Sequence, residues 1–589
     1  MAQIVIDGKQ ITTESNQTII QAALQNGIDI PHFCWHPELS VSGNCRMCLV
    51  EIGNQKKLPT GALEFNESGE PVVQWFPKLQ IACATPATEG MYVNTHTKKV
   101  VDSQEAVMEF LLINHPLDCP ICDEAGECKL QEYAFDHSNG ESRFTEAKNH
   151  KPKHVEWGPN VMYDAERCIS CSRCIRYAKE IAKQDVLTFV NRGDKVTIEL
   201  FEDTKFDNPY SMNVVELCPV GALTSIDFRF KSRVWEMSFT ESICTGCSRG
   251  CNIKIGVRNN KVLRLQPSTN MYVNKHWLCD YGRLTQYPKL NENRILNNQI
   301  RIDGELKDST FEVAKQFALE NLKQFKSNEI LLIGSPNSTN EDLFALQKFA
   351  KTVVKSSHIE IFKNIDESFG DDFLKTNDKS PNSKGAEALG YIFSDGTNLT
   401  KIKAAIDAKH IKCAIIMNED LQNNSDIIGN LSKLEFLVVL ASNHNAVSKL
   451  ADVVFSLSTY AETDGSFTNF DGRVQYFTAA LVTKENLHRM GMKMSRWDKF
   501  GSHNDHWTQK DERDAKPAWK IFQQLANSMS GSWNYKTAKD VFDDMASQVK
   551  PFNKMTYDNM QKHQGLKLDR GNYPDPVLVN YVSHYKKPD

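Results

Sequence analysis

Long apolar runs are missing from this sequence. The longest are of the order of Phe436-Leu437-Val438-Val439-Leu440-Ala441, whereas a helix needs roughly 20 apolar residues to cross a bilayer. With a mean hydropathy of −0.46, any membrane association is expected to run through partners. An excess of charge is missing too: 69 Lys and Arg against 74 Asp and Glu leave −5, which gives no electrostatic case for nucleic acid. The opening stretch Met1-Ala2-Gln3-Ile4-Val5-Ile6-Asp7-Gly8 shows neither a secretory h-region nor an Arg-rich transit segment, so a cytoplasmic protein is expected. Cysteine is nearly missing from one half only, since the 310 residues after Cys279 hold just Cys413.

What is present is 589 residues, 40% of them hydrophobic, with 16 cysteines. That length and composition predict several globular domains. Sixteen cysteines in a reducing compartment point to metal ligation rather than disulfides. Fifteen of them fall into four groups. Cys34, Cys45, Cys48 and Cys83 are spaced C-x10-C-x2-C-x34-C. Cys119, Cys122 and Cys128 are spaced C-x2-C-x5-C and are one ligand short. Cys168, Cys171, Cys174 and Cys218 are spaced C-x2-C-x2-C-x43-C-P, and Cys244, Cys247, Cys251 and Cys279 are spaced C-x2-C-x3-C-x27-C. Zinc and iron–sulfur clusters both accept four thiolates. Zinc usually pairs two C-x2-C knuckles, whereas three cysteines two residues apart with a distant Cys-Pro is the spacing of a cubane cluster.

Residues 1–95 read as β-rich: Ile4, Ile6 and Ile11 are strand-like, and Ile19 to Leu24 form a short helix ending at Asn26-Gly27. In Ser42-Gly43-Asn44-Cys45-Arg46-Met47-Cys48, glycine lets backbone amides turn towards sulfur. The segment resembles the β-grasp of [2Fe–2S] ferredoxins. From Val100 the pattern turns helical, with Val107, Phe110, Leu111 and Ile113 in register until Asn114-His115-Pro116. His115 precedes the incomplete set by four residues. An isolated histidine is usually a surface or capping residue, but three cysteines lacking a fourth ligand make this one a candidate. His32 and His36 flank Cys34 in a set that is already complete, and are read as structural.

Several segments together resemble the large iron–sulfur subunit of respiratory complex I, a component of bacterial NADH:quinone oxidoreductase with a mitochondrial 75-kDa relative. They are Pro31-His32-Phe33-Cys34, Gly43 to Glu51, Met108-Glu109-Phe110 through His115-Pro116-Leu117-Asp118-Cys119-Pro120-Ile121-Cys122-Asp123, Arg167-Cys168-Ile169 and Cys218-Pro219-Val220-Gly221-Ala222-Leu223-Thr224. The likeness is dense over residues 1–290 and thin beyond. It implies a [2Fe–2S] cluster on Cys34, Cys45, Cys48 and Cys83. It implies [4Fe–4S] clusters on His115, Cys119, Cys122 and Cys128 and on Cys168, Cys171, Cys174 and Cys218. Cys244, Cys247, Cys251 and Cys279 look like an additional [4Fe–4S] site, found in some bacterial members and off the main electron route.

After Gly282 the sequence reads α/β. Expected strands are Glu329 to Ile333, Cys413–Met417, Phe436–Ala441 and Ala451 to Phe455, separated by helical segments, which suggests a doubly wound parallel sheet. Ser338-Thr339-Asn340-Glu341 reads as a capping box ahead of a stripe of Leu343, Leu346, Phe349 and Val353. Ala451-Asp452-Val453-Val454 and Glu462-Thr463-Asp464-Gly465 through Arg473-Val474-Gln475 resemble molybdopterin oxidoreductases. No molybdenum cofactor is expected. Catalytic relatives place a lysine just after the last cluster cysteine, where this chain has Cys279-Asp280. The one remaining thiol, Cys413, sits in an apolar strand where cysteine packs as a small hydrophobe. Trp519, Phe522, Leu525 and Met529 form one amphipathic helix, and residues 551–589 read as an extended arm over a neighbour.

The expected architecture is therefore multidomain α+β and α/β. A [2Fe–2S] ferredoxin-like β-grasp domain spans 1–97, a helical His-ligated [4Fe–4S] domain 98–150, and a ferredoxin-like [4Fe–4S] domain 151–236. An additional [4Fe–4S] domain spans 237–293, a reduced molybdopterin-oxidoreductase-like α/β domain 294–550, and the arm 551–589. The chain carries no nucleophile, general base or nicotinamide fingerprint, so no catalytic residue is assigned. The resemblance implies an electron relay with four clusters, placed peripherally on the cytoplasmic side of the bacterial inner membrane. Its implied partners are a flavin- and NADH-binding subunit, the other hydrophilic-arm subunits and, indirectly, the membrane arm. The alternative is the iron–sulfur subunit of an NAD-linked formate dehydrogenase or hydrogenase. A zinc-stabilised scaffold is the non-enzymatic rival.

Overall fold

Alternating Ile4, Ile6 and Ile11 produce the hairpin they predict: Ala2–Ile6 pairs antiparallel with Lys9–Thr13 across Asp7 and Gly8. Both turn residues have positive φ, 48° and 80°, the primed turn that matches strand twist. The computed structural model describes residues 1–14, 16–487 and 513–568. They divide into two units, one within Met1–Glu236 and one within Met237–Leu578. Among the described residues no helix is long and apolar enough to cross a membrane.

In the first unit the hairpin joins a mixed sheet ordered Lys9–Thr13, Ala2–Ile6, Met91–Asn94, Leu49–Gln55, Val73–Trp75, with Gln80–Ile81 also pairing Leu49–Gln55. The helix Ile19–Gln25 starts at Thr18, whose amide donates to the Gln21 side chain at 2.9 Å, while the amides of Ile19 and Ile20 reach the carbonyls of Thr85 and Ala82, and it buries Ile19, Ile20, Ala22 and Ala23. They meet Ile4, Ile6, Val50 and Ile52 in one core. This is the β-grasp arrangement of one helix on a mixed sheet. The helix Lys98–Ile113 ends before Pro116 as expected, but its buried face is Val100, Gln104 and Met108. Phe110 is 76% exposed, because the helix turns the other side of its stripe inward. The ferredoxin-like part is built from the helices Arg173–Glu180 and Asn213–Leu217 and short antiparallel pairs, Leu187–Val190 with Thr197–Leu200 and Val161–Tyr163 with Leu223–Ser225.

The second unit begins with an antiparallel sheet of Ser238–Ile243, Asn252–Arg258 and Lys261–Pro267. Its main sheet has seven strands in the order Glu305–Ser309, Asn298–Ile302, Val453–Ser456, Phe436–Ala441, Cys413–Met417, Ile330–Gly334, Ile359–Ile361. The last five are parallel, and the first two form an antiparallel edge. Strands buried on both faces should be continuously apolar, and every residue of Ile330–Gly334, Cys413–Met417 and Phe436–Ala441 is buried. Leu332, Ile415 and Val438 enter one core, and Leu331, Ile333, Ala414, Ile416, Leu437 and Val439 the other. Cys413 is fully buried in the first of these.

Two local expectations change. The helix Asn340–Phe349 is capped by Thr339, which accepts from the Asp342 amide, one residue later than the Ser338–Glu341 reading. Glu341 turns inward instead, where its carboxylate accepts from Ser466 and Tyr557. Residues 551–568 are not an extended arm. They hold the helix Tyr557–Lys562 and the strand Leu566–Lys567, which pairs Arg473–Phe477. Phe552, Met555, Tyr557 and Met560 join the main core, which holds this segment on its own unit. Residues 569–589 of the expected arm lie outside the described residues. The helix Ala518–Met529 buries Trp519, Phe522 and Leu525 as expected.

The second unit also contains a fully buried ion triad. Glu462 receives two bonds from Arg294, 2.9 and 2.8 Å, and one from Arg513, 2.7 Å. Burial pushes its carboxyl up, but Arg294 and Arg513 outweigh that and hold it at about 2. A carboxyl held below its unfolded value stabilises the fold above that value and loses its effect as pH falls through the folded one. Thermal unfolding of the second unit should therefore become easier as pH drops from about 4.5 towards 2. Glu462→Gln, leaving buried cations unpaired, should cost about 3 kcal/mol or more at neutral pH in calorimetry, and should flatten that acid limb.

Candidate metal centres

Three members of the first group, Cys34, Cys45 and Cys48, lie in the loop that leaves the helix Ile19–Gln25 and re-enters the sheet at Leu49, and Cys83 follows the strand Gln80–Ile81. Cys34, Cys48 and Cys83 are buried and Cys45 partly so. Side-chain hydrogen bonds join Cys34 to Cys45 and Cys83, and Cys83 to Cys48, so the four sulfurs share one locus. Those bonds pull the Cys34 thiol down and push Cys45 and Cys83 up. Gly43 has φ +66°, and a Cβ there would lie 3.0 Å from Ile81 Cδ1. Arg46 is also left-handed, and such turns direct amides towards the anion they surround. His32 is buried, donates from Nδ1 to the Ile30 carbonyl at 2.7 Å and meets Trp35 edge-on. His36 Nδ1 accepts from the Glu38 amide. Both act locally on loop structure.

In the second group Cys122 and Cys128 are buried and Cys119 is exposed. The 3-10 turn Cys119–Ile121 brings the set together, so that Cys119 raises the Cys122 thiol and Cys122 the Cys128 thiol, each adding to the larger effect of burial. His115 stands beyond the end of Lys98–Ile113, half-buried. Burial, then Arg167 and Lys148, hold its imidazole down at about 4, so it is neutral at pH 7, the form that can ligate a metal. Arg167 also opposes the burial of Cys122. It bonds Asp118 at 2.9 Å, beside a Lys153–Asp118 bond of 2.7 Å. Arg233 clamps the other side, donating to the carbonyls of Cys122 and Pro120.

The third group surrounds a small pocket lined by Cys168, Cys171, Cys174 and Cys218 with Tyr163, Arg173 and aliphatic side chains such as Ile198 and Val220. Ser170 and Ser172 are left-handed, φ 53° and 63°, and the Ser170 amide reaches Cys168 Sγ at 3.4 Å. The Tyr163 hydroxyl accepts from the Ile198 amide at 3.2 Å and hydrogen-bonds Cys168. Burial pushes the thiols of Cys174 and Cys218 far up. Four thiols in an apolar shell resist ionisation unless a cation takes the charge.

The fourth group belongs to the second unit. Cys244, Cys247, Cys251 and Cys279 are all buried. The Cys244 amide donates to the Cys251 carbonyl at 2.8 Å, and the Gly246 and Gly282 amides point at the Cys244 and Cys279 sulfurs, 3.4 and 3.3 Å. A Cβ on Gly282 would come within 2.9 Å of Cys244 Sγ. Cys279 caps the helix Asp280–Thr285. Among the described residues no three His, Cys, Asp or Glu side chains are arranged to hold a single metal ion.

The first three groups adjoin one another within their unit. Arg176 donates to the carbonyls of Cys34 and Cys171, and Asn44 Nδ2 to the Ser170 carbonyl at 3.0 Å. On the far side, a Cβ on Gly221 would collide with Cys122 Sγ, and the Lys129 amide donates to the Pro219 carbonyl at 3.1 Å. The Cys168 group is thus in contact with both of the others. Tyr163 and Arg173 were not singled out from sequence, and Arg167 and Gly221 entered only as members of the Cys168 and Cys218 motifs. The usable signal was position: Arg173 lies inside C-x2-C-x2-C, and Gly221 three residues after Cys218.

Family models match the chain in order. Residues 1–98 match a 2Fe-2S iron-sulfur cluster binding domain, 104–143 the NADH-ubiquinone oxidoreductase-G iron-sulfur binding region, and 158–224 the ferredoxin-like domain of NADH-quinone oxidoreductase subunit 3. Residues 237–286 match the molybdopterin oxidoreductase Fe4S4 domain and 387–488 a molybdopterin oxidoreductase. The G subunit of NADH-quinone oxidoreductase from Rickettsia typhi is 38% identical over 59% of this chain and 48% of its own length. Subunit 3 of the Thermus thermophilus enzyme is 35% identical over 61% and 47%. The NADH-ubiquinone oxidoreductase 75 kDa subunit of Reclinomonas americana is 40% identical over 56% and 45%. The chain spans about half the length of the curated relatives it matches. Gly221→Ala should push Cys122 out of place and lower the iron content of the purified protein by about one cluster's worth. Unchanged iron would mean that the Cys218 loop yields to a methyl group.

Proposed function

We propose that this chain, a homologue of the large iron–sulfur subunit of NADH:quinone oxidoreductase, is an electron relay. It would take electrons from a flavin- and NADH-binding partner and deliver them towards quinone-reducing subunits. One observation carries the reading: the Cys168 group touches the Cys34 group on one side and the Cys122 group on the other. A linear order follows, with entry at the Cys34 group, passage at the Cys168 group and exit at the His115 group. Iron–sulfur clusters accept and release single electrons, with potentials set by ligand type, hydrogen bonds to sulfur and burial.

In this reading Cys34, Cys45, Cys48 and Cys83 hold a two-iron cluster. Three four-iron clusters sit on His115 with Cys119, Cys122 and Cys128, on Cys168, Cys171, Cys174 and Cys218, and on Cys244, Cys247, Cys251 and Cys279. The residues present fit such groups. In the third group four buried thiols line one pocket with aliphatic walls, a donor set and an apolar shell that suit a four-iron cluster. Ser170, Gly246 and Gly282 turn amides to sulfur, which favours the reduced state. Placement at the cytoplasmic face of the membrane belongs to the same proposal.

No molybdenum cofactor is part of it. In a doubly wound sheet ligands bind beyond the carboxyl ends of the strands. There Asn382 bonds the Ser338 and Pro336 carbonyls and the Thr468 amide, and Asn340 bonds Ser466 and Thr468. Glu341 closes on Ser466 and Tyr557. These buried groups satisfy one another and so offer few free donors or acceptors to a cofactor.

Metal analysis of anaerobically purified protein should give about fourteen irons with matching acid-labile sulfide, and no molybdenum. Stoichiometric zinc without sulfide would sink the relay. His115→Cys replaces a neutral ligand by an anionic one and should lower the midpoint of one four-iron EPR signal, the reverse of the rise that histidine causes in Rieske centres. If every midpoint held, His115 would not be a ligand.

A further inference from the structure

Arg173 occupies the gap between the first and third groups. It opens the helix Arg173–Glu180 between Cys171 and Cys174 and is only 5% exposed. One terminal nitrogen donates to the Leu217 carbonyl at 3.1 Å, next to Cys218, and the other to the Trp35 carbonyl at 2.6 Å, next to Cys34. Its Nε is buried with no hydrogen-bond partner, although the residue lines the pocket of the Cys168 group. A buried N–H left unmade costs roughly 1–3 kcal/mol, and the pocket is where an acceptor would lie. Among the described residues no carboxylate pairs with this guanidinium. The groups that face it are the sulfurs of Cys171, Cys34 and Cys45 and the phenol of Tyr133, of which only the sulfurs would carry negative charge on binding metal. Arg167, by contrast, is paired to Asp118 and Asp164.

We infer that Arg173 is a positioning and tuning residue shared by two redox centres. Its Nε donates to a sulfur of the group held by Cys168, Cys171, Cys174 and Cys218, and its fork fixes the Cys34 loop against that group. An arginine is needed because its charge is kept on burial and its planar fork serves three acceptors in fixed directions. Reduction adds negative charge, so a buried cation without a carboxylate favours the reduced state of the centre it faces. Arg176, which also spans the two loops, contributes contact from a partly exposed position.

The inference rests on the iron–sulfur reading above. If that reading fails, no four-iron EPR signal exists to measure. If only the inference fails, the signal is present and indifferent to Arg173. The wild-type assembly, labelled with 15N-arginine and reduced, should show an arginine nitrogen coupled to the Cys168 cluster in pulsed EPR, and Arg173→Lys should abolish it. Absence of that coupling overturns the hydrogen bond. In redox titrations Arg173→Gln should shift the reduced-to-oxidised ratio of this cluster at fixed potential at least tenfold towards oxidised, a midpoint lower by about 59 mV for one electron. Arg173→Lys, which keeps the charge, should recover most of that shift. The signal of the Cys244 group serves as internal control. A midpoint unchanged in Arg173→Gln, or equal shifts in both variants, overturns the charge role. If Arg173→Gln loses the cluster, the coupling in wild type and the Arg173→Lys midpoint decide the matter.

Discussion

The loops of the first unit answer to one electrostatic constraint: sulfurs that bind metal as anions must be held out of water and near one another. Burial alone drives the thiols the wrong way, as at Cys174 and Cys218. The compensations are local and repeated. The left-handed Ser170 aims its amide at Cys168, Tyr163 offers a hydroxyl to Cys168, and guanidinium groups are placed close to the sulfurs. Arg173 is the most extreme of these, since it meets sulfur and a phenol where a carboxylate would normally stand.

The same constraint explains why the loops touch so closely. The proposed relay needs centres near one another, and nearness of the loops is achieved by removing side-chain bulk and by bridging backbone carbonyls. Gly221 has no room for a Cβ beside Cys122. Arg176 ties the Cys34 carbonyl to the Cys171 carbonyl. The scaffold elements supporting these loops are small, with helices of eight and five residues at Arg173–Glu180 and Asn213–Leu217. Backbone contacts between loops therefore carry a large share of the positioning.

The second unit obeys different rules. Its sheet is held by apolar strands buried on both faces, and Asn340, Glu341, Asn382, Ser466 and Thr468 bond to one another in a buried network. A buried polar network of this kind is stable only when complete.

Cysteine spacing and strand periodicity carry their information locally, and that part was legible. The four groups, the strands at Cys413–Met417 and Phe436–Ala441 and the helix Ala518–Met529 are set by residues close together in the chain. Local reading failed where a distant partner chose between near-equal options. Glu341 turned to Tyr557, more than two hundred residues away, instead of capping its helix. Phe110 faced outward because Gln104 and Met108 took the inner side. Residues 551–568 folded back because the edge of Arg473–Phe477 offered unpaired backbone groups. Residue identity and spacing alone establish which atoms can bind metal. Their arrangement, with the Cys168 group between the other two and Arg173 in the gap, emerges only on packing, because adjacency across more than a hundred residues depends on how loops meet and not on how they are spelled.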